Sequence, residues 1–151
     1  MKKLAEKFTE WAKANGWNVK LADKARDLPE SVTERYKFIP ADWLEFIRCF
    51  EVCANGADNV WFDTGEYDEF EQISLEAAEG DEEWTNKIRA FWDNHIPVVI
   101  SVAGYYHYYA VGVRTGEVFK GSEPEFEEVE IAAPSFTDFV EYIIGGKIVL
   151  N

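Results

Sequence analysis

The hydrophobic period of this chain changes at Ile96-Pro97, and no other feature constrains its fold as much. Before that point apolar residues recur mostly at helical spacing; after it they fall in short strand-like runs. Lys2 to Ala14 puts Leu4, Phe8 and Trp11 on one stripe with charges opposite, and Asn15-Gly16 stops that helix. Trp17 to Ala22 reads as a short strand or an extended link. Pro29 can start a short helix and Pro40 a second one. In the second, Trp43, Leu44, Phe46, Ile47, Phe50 and Cys53 leave little polar face, which predicts deep burial up to a stop at Asn55-Gly56. Asn59 to Asp63 reads as a brief strand. A helix from about Asp81 to His95 then carries Trp84, Ile88, Phe91 and Trp92 on one stripe until Pro97 ends it.

Strands are expected over Val98 to Val102, Tyr105 to Val113, Glu117 to Lys120 and Glu127 to Ile131. Thr115-Gly116 supplies a hairpin turn and hence antiparallel pairing. Ser135 with Asp138 resembles a capping box, and Phe136, Phe139, Val140, Ile143 and Ile144 build a last helix stopped by Gly145-Gly146. Helices first, strands in the second half and a C-terminal helix make an α+β fold. The length of 151 residues fits a single domain over 1–151, and 47% hydrophobic content supplies its core.

Charge narrows the function classes. There are 29 carboxylates against 15 lysines and arginines, a net charge of −14. Direct binding to nucleic acid or to an anionic membrane is disfavoured, and a basic protein partner is favoured. Solubility alone is the competing reason for such a charge. Met1-Lys2-Lys3 runs straight into Glu6, Lys7 and Glu10, with no apolar signal region, and no run approaches a membrane span. Cys49 and Cys53 lie four apart on what reads as one helix, where a disulfide would be strained. Read as buried free thiols, they suit a reducing cytoplasm.

Chemistry-bearing constellations are missing from the sequence. His95 ends a helix, His107 sits in a strand between tyrosines, and neither joins the cysteines at a zinc spacing. No nucleophile motif surrounds a Ser or Cys, and Ala103-Gly104 and Gly145-Gly146 lack the residues of a phosphate loop. The expectation is a protein without catalytic residues, metal or cofactor. Two features remain. Tyr105, Tyr106, His107, Tyr108 and Tyr109 put aromatics on both faces of a strand, which fits a central strand covered on both sides or a recognition surface. Asp63 to Glu83 carries ten carboxylates and no Lys or Arg. It reads as a solvated loop with acids at the next helix start, or as a patch that anchors a basic partner. The partner-binding reading selects Trp61, Asp63, Glu66, Tyr67, Asp68, Glu69 and Glu71, with a second acidic group at Glu123, Glu125 and Glu127.

The ordered landmarks resemble the SUKH superfamily. Leu28-Pro29, Pro40-Ala41-Asp42-Trp43-Leu44-Glu45-Phe46-Ile47 and Asn59-x-Trp61-Phe62 match its first half. Ile96-Pro97, Tyr108-Tyr109-Ala110-Val111, Gly116-x-Val118, Ile131-Ala132 and Ser135-Phe136-x-x-Phe139 match its second. The resemblance spans 28–144; residues 1–27, a helix and an extended link, precede it, and the acidic insert after Phe62 is longer than the family's. It implies a central, largely antiparallel sheet flanked by helices. It also implies a bacterial immunity protein that binds and blocks a cognate toxin domain, commonly a nuclease or deaminase. Fungal relatives act instead as regulatory scaffolds with an endogenous partner. The family shares no catalytic residues.

Overall fold

The structure is a computed structural model that describes residues 2–151. Among those residues the helices are α1 (Lys2–Ala14), α2 (Glu30–Arg35), α3 (Ala41–Ile47), α4 (Glu69–Ala77), α5 (Glu82–Asp93) and α6 (Phe136–Ile144). The strands are β1 (Asn18–Leu21), β2 (Phe50–Ala54), β3 (Val60–Phe62), β4 (His95–Ser101), β5 (His107–Gly112), β6 (Val118–Ser122) and β7 (Glu130–Ala133). They form one seven-stranded sheet in the order β1-β2-β3-β4-β5-β6-β7. Every neighbouring pair is antiparallel. The α+β architecture read from the sequence is therefore the observed one, with three strands in the first half as well.

Alternation along β5 explains how both faces of the sheet are covered. Tyr109 and Val111 point into a core built with Phe8 of α1, Trp43 and Phe46 of α3, and Phe139 of α6. Tyr108 and Ala110 point the other way, against Phe70 of α4, Ile88 and Trp92 of α5, and Phe126. All six residues of β5 are buried. Burial of each large apolar side chain contributes roughly 1.5–3 kcal/mol, so the two cores together hold the sheet from both sides. The core reading holds for Tyr108 and Tyr109. Tyr105 and Tyr106 lie before the strand, in the turn that leads into it, and are exposed.

The hairpin at Thr115-Gly116 forms as expected. Gly116 adopts φ +75°, its N–H donates to the Gly112 carbonyl at 2.9 Å, and β5 pairs with β6 across the turn. Opposite Tyr108 in that ladder stands Gly121, where a Cβ would come within 2.5–2.7 Å of the tyrosine ring and hydroxyl. The missing side chain is what lets Tyr108 lie across β6. At α6 the Ser135 hydroxyl accepts from the Asp138 N–H at 3.0 Å and donates to the Asp138 carboxylate at 2.9 Å. The cap forms where the sequence placed it.

Three expectations are corrected. The helix that starts at Pro40 ends at Ile47, and Phe50–Ala54 is a strand paired with β1. Tertiary pairing overrides the helical spacing of Phe50 and Cys53. Cys49 and Cys53 therefore do not share a helix: Cys49 is half-buried in the turn after α3, with its Sγ donating to the Glu45 carbonyl, while Cys53 is buried in β2. Burial pushes the Cys53 thiol well above its usual range.

Pro97 does not end α5. That helix stops at Asp93, and Asn94 donates its backbone N–H to Phe91 at 3.0 Å and its side-chain amide to Ala90 at 2.7 Å. Pro97 lies inside β4, where the register shifts between Pro97 and Val99, the kind of irregularity at which a strand tolerates proline. Finally, the acidic stretch is not a loop throughout, because α4 occupies its centre.

Both histidines are at least partly withdrawn from water. His95 stacks on Phe91 with ring centroids 4.0 Å apart and donates through Nδ1 to the Phe91 carbonyl at 2.7 Å. His107 is buried opposite Ser101, and its Nδ1 finds no hydrogen-bond partner among the described residues. Burial lowers both pKa values from the ordinary 6.5, since the imidazolium would lose its hydration. The unfolded chain then binds more protons than the folded one just below pH 6.5. Stability is expected to be highest above that value and to decline as pH falls toward the lower folded pKa values. NMR titration of the two imidazole C–H resonances checks the cause: both midpoints should fall below 6.5.

An acidic groove between α4 and the β6–β7 loop

Asp63 organises the turn between β3 and α4. Its Oδ1 accepts from Trp61 Nε1 at 3.0 Å, and its Oδ2 accepts from the Gly65 and Tyr67 N–H groups, each at 3.0 Å. Burial raises the carboxyl's pKa, and these donors oppose that rise. Gly65 holds φ +92°, and a Cβ there would meet Ile96 at 2.8 Å and Trp43 at 3.2 Å. Only glycine fits a left-handed turn pressed this closely onto the core.

The turn delivers α4 with Phe70, Glu71 and Ser74 inward. Glu71 is buried and receives a two-pronged contact from Arg35: Nη1 to Oε1 and Nη2 to Oε2, each 2.8 Å. Arg35 Nε also reaches Asp93 at 3.1 Å, so one guanidinium links α2, α4 and the end of α5. The hydrogen bonds to Glu71, more than its charge, raise the Arg35 pKa above its ordinary value.

On the other flank, the β6–β7 loop folds over the same core. Phe126 stacks flat on Phe70, with centroids 4.5 Å apart and planes 9° apart. The Tyr108 hydroxyl donates to the Phe126 carbonyl. Glu127 Oε2 accepts from Ser74 Oγ at 2.8 Å and Trp92 Nε1 at 2.9 Å, which ties the loop to α4 and α5. Glu123 accepts the Tyr106 N–H at 3.0 Å and returns its own N–H to the Tyr106 carbonyl at 2.9 Å. The Glu123-Pro124 peptide is cis.

Helix α4, at the centre of the first acidic stretch, and the loop that carries the second, about fifty residues apart in sequence, thus meet across one groove. Glu66 lies beside Arg26 and Arg48 in another hollow. The candidate residues divide by what they touch. Asp63, Glu71 and Glu127 are committed to internal hydrogen bonds, and Glu123 fixes the neighbouring backbone. Glu66, Asp68, Glu69 and Glu125 are exposed, with Glu69 also accepting from the Tyr67 hydroxyl at 2.9 Å. Trp61 and Tyr67 are half-buried and pack edge-on at 5.6 Å, and Tyr67, Phe70 and Tyr106 continue that aromatic row.

Between α4 and the loop runs a groove of about 650 Å³. Ile73, Ala77 and Trp84 form one side of it, and Tyr106, Pro124 and Glu128 the other. Ile73, Trp84 and Tyr106 are 42%, 45% and 40% exposed, an unusual amount for large apolar groups gathered at one place. Among the described residues no Lys or Arg lines the groove. Of these three, Tyr106 belongs to the run whose sequence also fitted a recognition surface, whereas Ile73 and Trp84 were not singled out as surface residues. Trp84 was expected on the buried stripe of α5, and Ile73 is masked by the acids around it. Their signal is positional: Trp84 stands in the first turn of α5, and Ile73 lies off the Phe70-Ser74-Ala78 stripe of α4.

A second hollow of about 420 Å³, between α1, the segment after β1 and α3, includes Arg48 together with Glu6 and Glu45, so its charge has no single sign. Among the described residues no three His, Cys, Asp or Glu side chains gather as metal ligands, and no helix is long and apolar enough to cross a membrane. Comparison with protein-family models, with curated proteins and with solved structures finds no match to this chain.

Proposed function

We propose that the chain is an immunity protein of the SUKH type, which binds a basic toxin domain of nuclease or deaminase kind and blocks it. The observation that carries this reading is the meeting of α4 and the β6–β7 loop, from two distant acidic stretches, across one groove with exposed apolar side chains. Exposed ion pairs are each worth little, so the free carboxylates act mainly on encounter rate and on partner choice. Lasting affinity comes from bulky groups buried at the centre of an interface, here Trp84, Tyr106 and Ile73. A protein seated on this face covers the basic surface with which a nuclease or deaminase holds its nucleic acid. The blocked activity belongs to the partner, and this chain contributes shape and charge.

Co-expression with basic nuclease and deaminase toxin domains tests the reading. The wild type should restore growth. Trp84→Ser with Tyr106→Ser, at exposed positions, should lose most of the protection while keeping a normal unfolding curve. Absence of protection by the wild type would turn the account toward a scaffold with an endogenous partner.

A further inference from the structure

The groove itself says what kind of segment it receives. Its floor is fixed before any partner arrives: the Phe70–Phe126 stack and the Glu127 ties to Ser74 and Trp92 hold both walls. A preorganised cleft loses little entropy on binding. Glu127 already accepts two hydrogen bonds, so it is not waiting for a cation deep in the groove. The remaining charge lies at the exposed Glu123, Glu125 and Glu128, while the walls present Ile73, Ala77, Trp84 and Tyr106.

Resting on the immunity reading, we propose that the groove between α4 and the β6–β7 loop takes one short amphipathic segment of the partner. That segment seats a bulky apolar side chain between Ile73, Trp84 and Tyr106, and its flanking Lys or Arg residues meet Glu125 and Glu128. A nucleic acid strand is repelled by these carboxylates. A second copy of the chain, with its own charge of −14, brings like charge to like. A cleft of this volume is large enough for one or two large side chains.

A displayed library of random peptides, panned against the full chain, tests the proposal without any toxin. The enriched peptides should combine a large apolar residue with neighbouring Lys or Arg. In the isotope-labelled wild type, the strongest of them should shift amide resonances of 70–78, 84 and 122–128. Ala77→Arg and Ile73→Lys, both at exposed positions, should each weaken it by about tenfold or more. Enrichment of neutral or acidic peptides, no enrichment at all, shifts centred elsewhere, or unchanged affinity in both variants would overturn it. A toxin that fails to be neutralised while basic peptides still occupy the groove would sink the immunity reading and leave this one standing.

Discussion

Replacing Phe70 by alanine is expected to cost the fold about 3–5 kcal/mol, the range for deleting a buried aromatic ring. Phe70 is 2% exposed and lies at the middle of the smaller core, stacked on Phe126 and within 6.0 Å of the Tyr108 ring centroid. The truncation leaves Phe126 without its stacking partner and removes the contact by which the β6–β7 loop is pressed onto α4. Urea unfolding should show the loss as a lower midpoint. Amide exchange should show it as faster opening of 123–129 than of β5. A loss below about 1 kcal/mol would mean that the loop is held mainly by its hydrogen bonds.

The second large effect concerns Glu71. Its side chain is 7% exposed and that of Arg35 29%, so removing the carboxylate leaves a guanidinium half-buried without its main partner. Breaking a buried pair by deleting one member typically costs about 3–5 kcal/mol, and the partial exposure of Arg35 puts Glu71→Ala near the lower end. The double variant Arg35→Met with Glu71→Leu removes both charges and fills the space. It should be closer to wild type than Glu71→Ala, because no buried charge is left unpaired. A double variant as unstable as the two single losses added together would show that the ion pair is worth more than its apolar replacement. The result bears on function as well, since Glu71 belongs to the acidic stretch yet supports α4 from within.

The parts of the fold that depend on local pattern were readable in the sequence. The stripes of α1 and α6, the Ser135 cap and the turn at Gly116 are set by residues adjacent in the chain. The two-sided burial of β5 was readable too, because Tyr108 and Ala110 alternate with Tyr109 and Val111. What failed needed knowledge of partners far away. β2 looked helical because the spacing of Phe46, Phe50 and Cys53 suits a helix, and only pairing with β1 makes it a strand. α4 was hidden because its inward stripe is Phe70, Ser74 and Ala78, a weak apolar signal among acids.

The candidate surface was half legible. Composition identified the two acidic stretches, but could not tell Glu66 from Glu71. One faces water, and the other faces an arginine supplied from 36 residues upstream. Nor could it show that Ser74 and Trp92 would claim Glu127, or that Trp84 and Tyr106 would stand outside their expected cores. Those facts come from how the β6–β7 loop lies across α4, which no short-range pattern encodes.

The most direct test of the proposed function is the rate at which this chain associates with a basic nuclease or deaminase toxin domain against which it protects in co-expression, measured by stopped flow across ionic strength. The wild type should bind fast at low salt and slow steeply as salt rises. Glu125→Lys and Glu128→Lys combined, both on the groove, should slow binding at low salt by about tenfold or more and flatten that dependence. The same rates and the same salt slope in both proteins would contradict the assignment of this face to the partner.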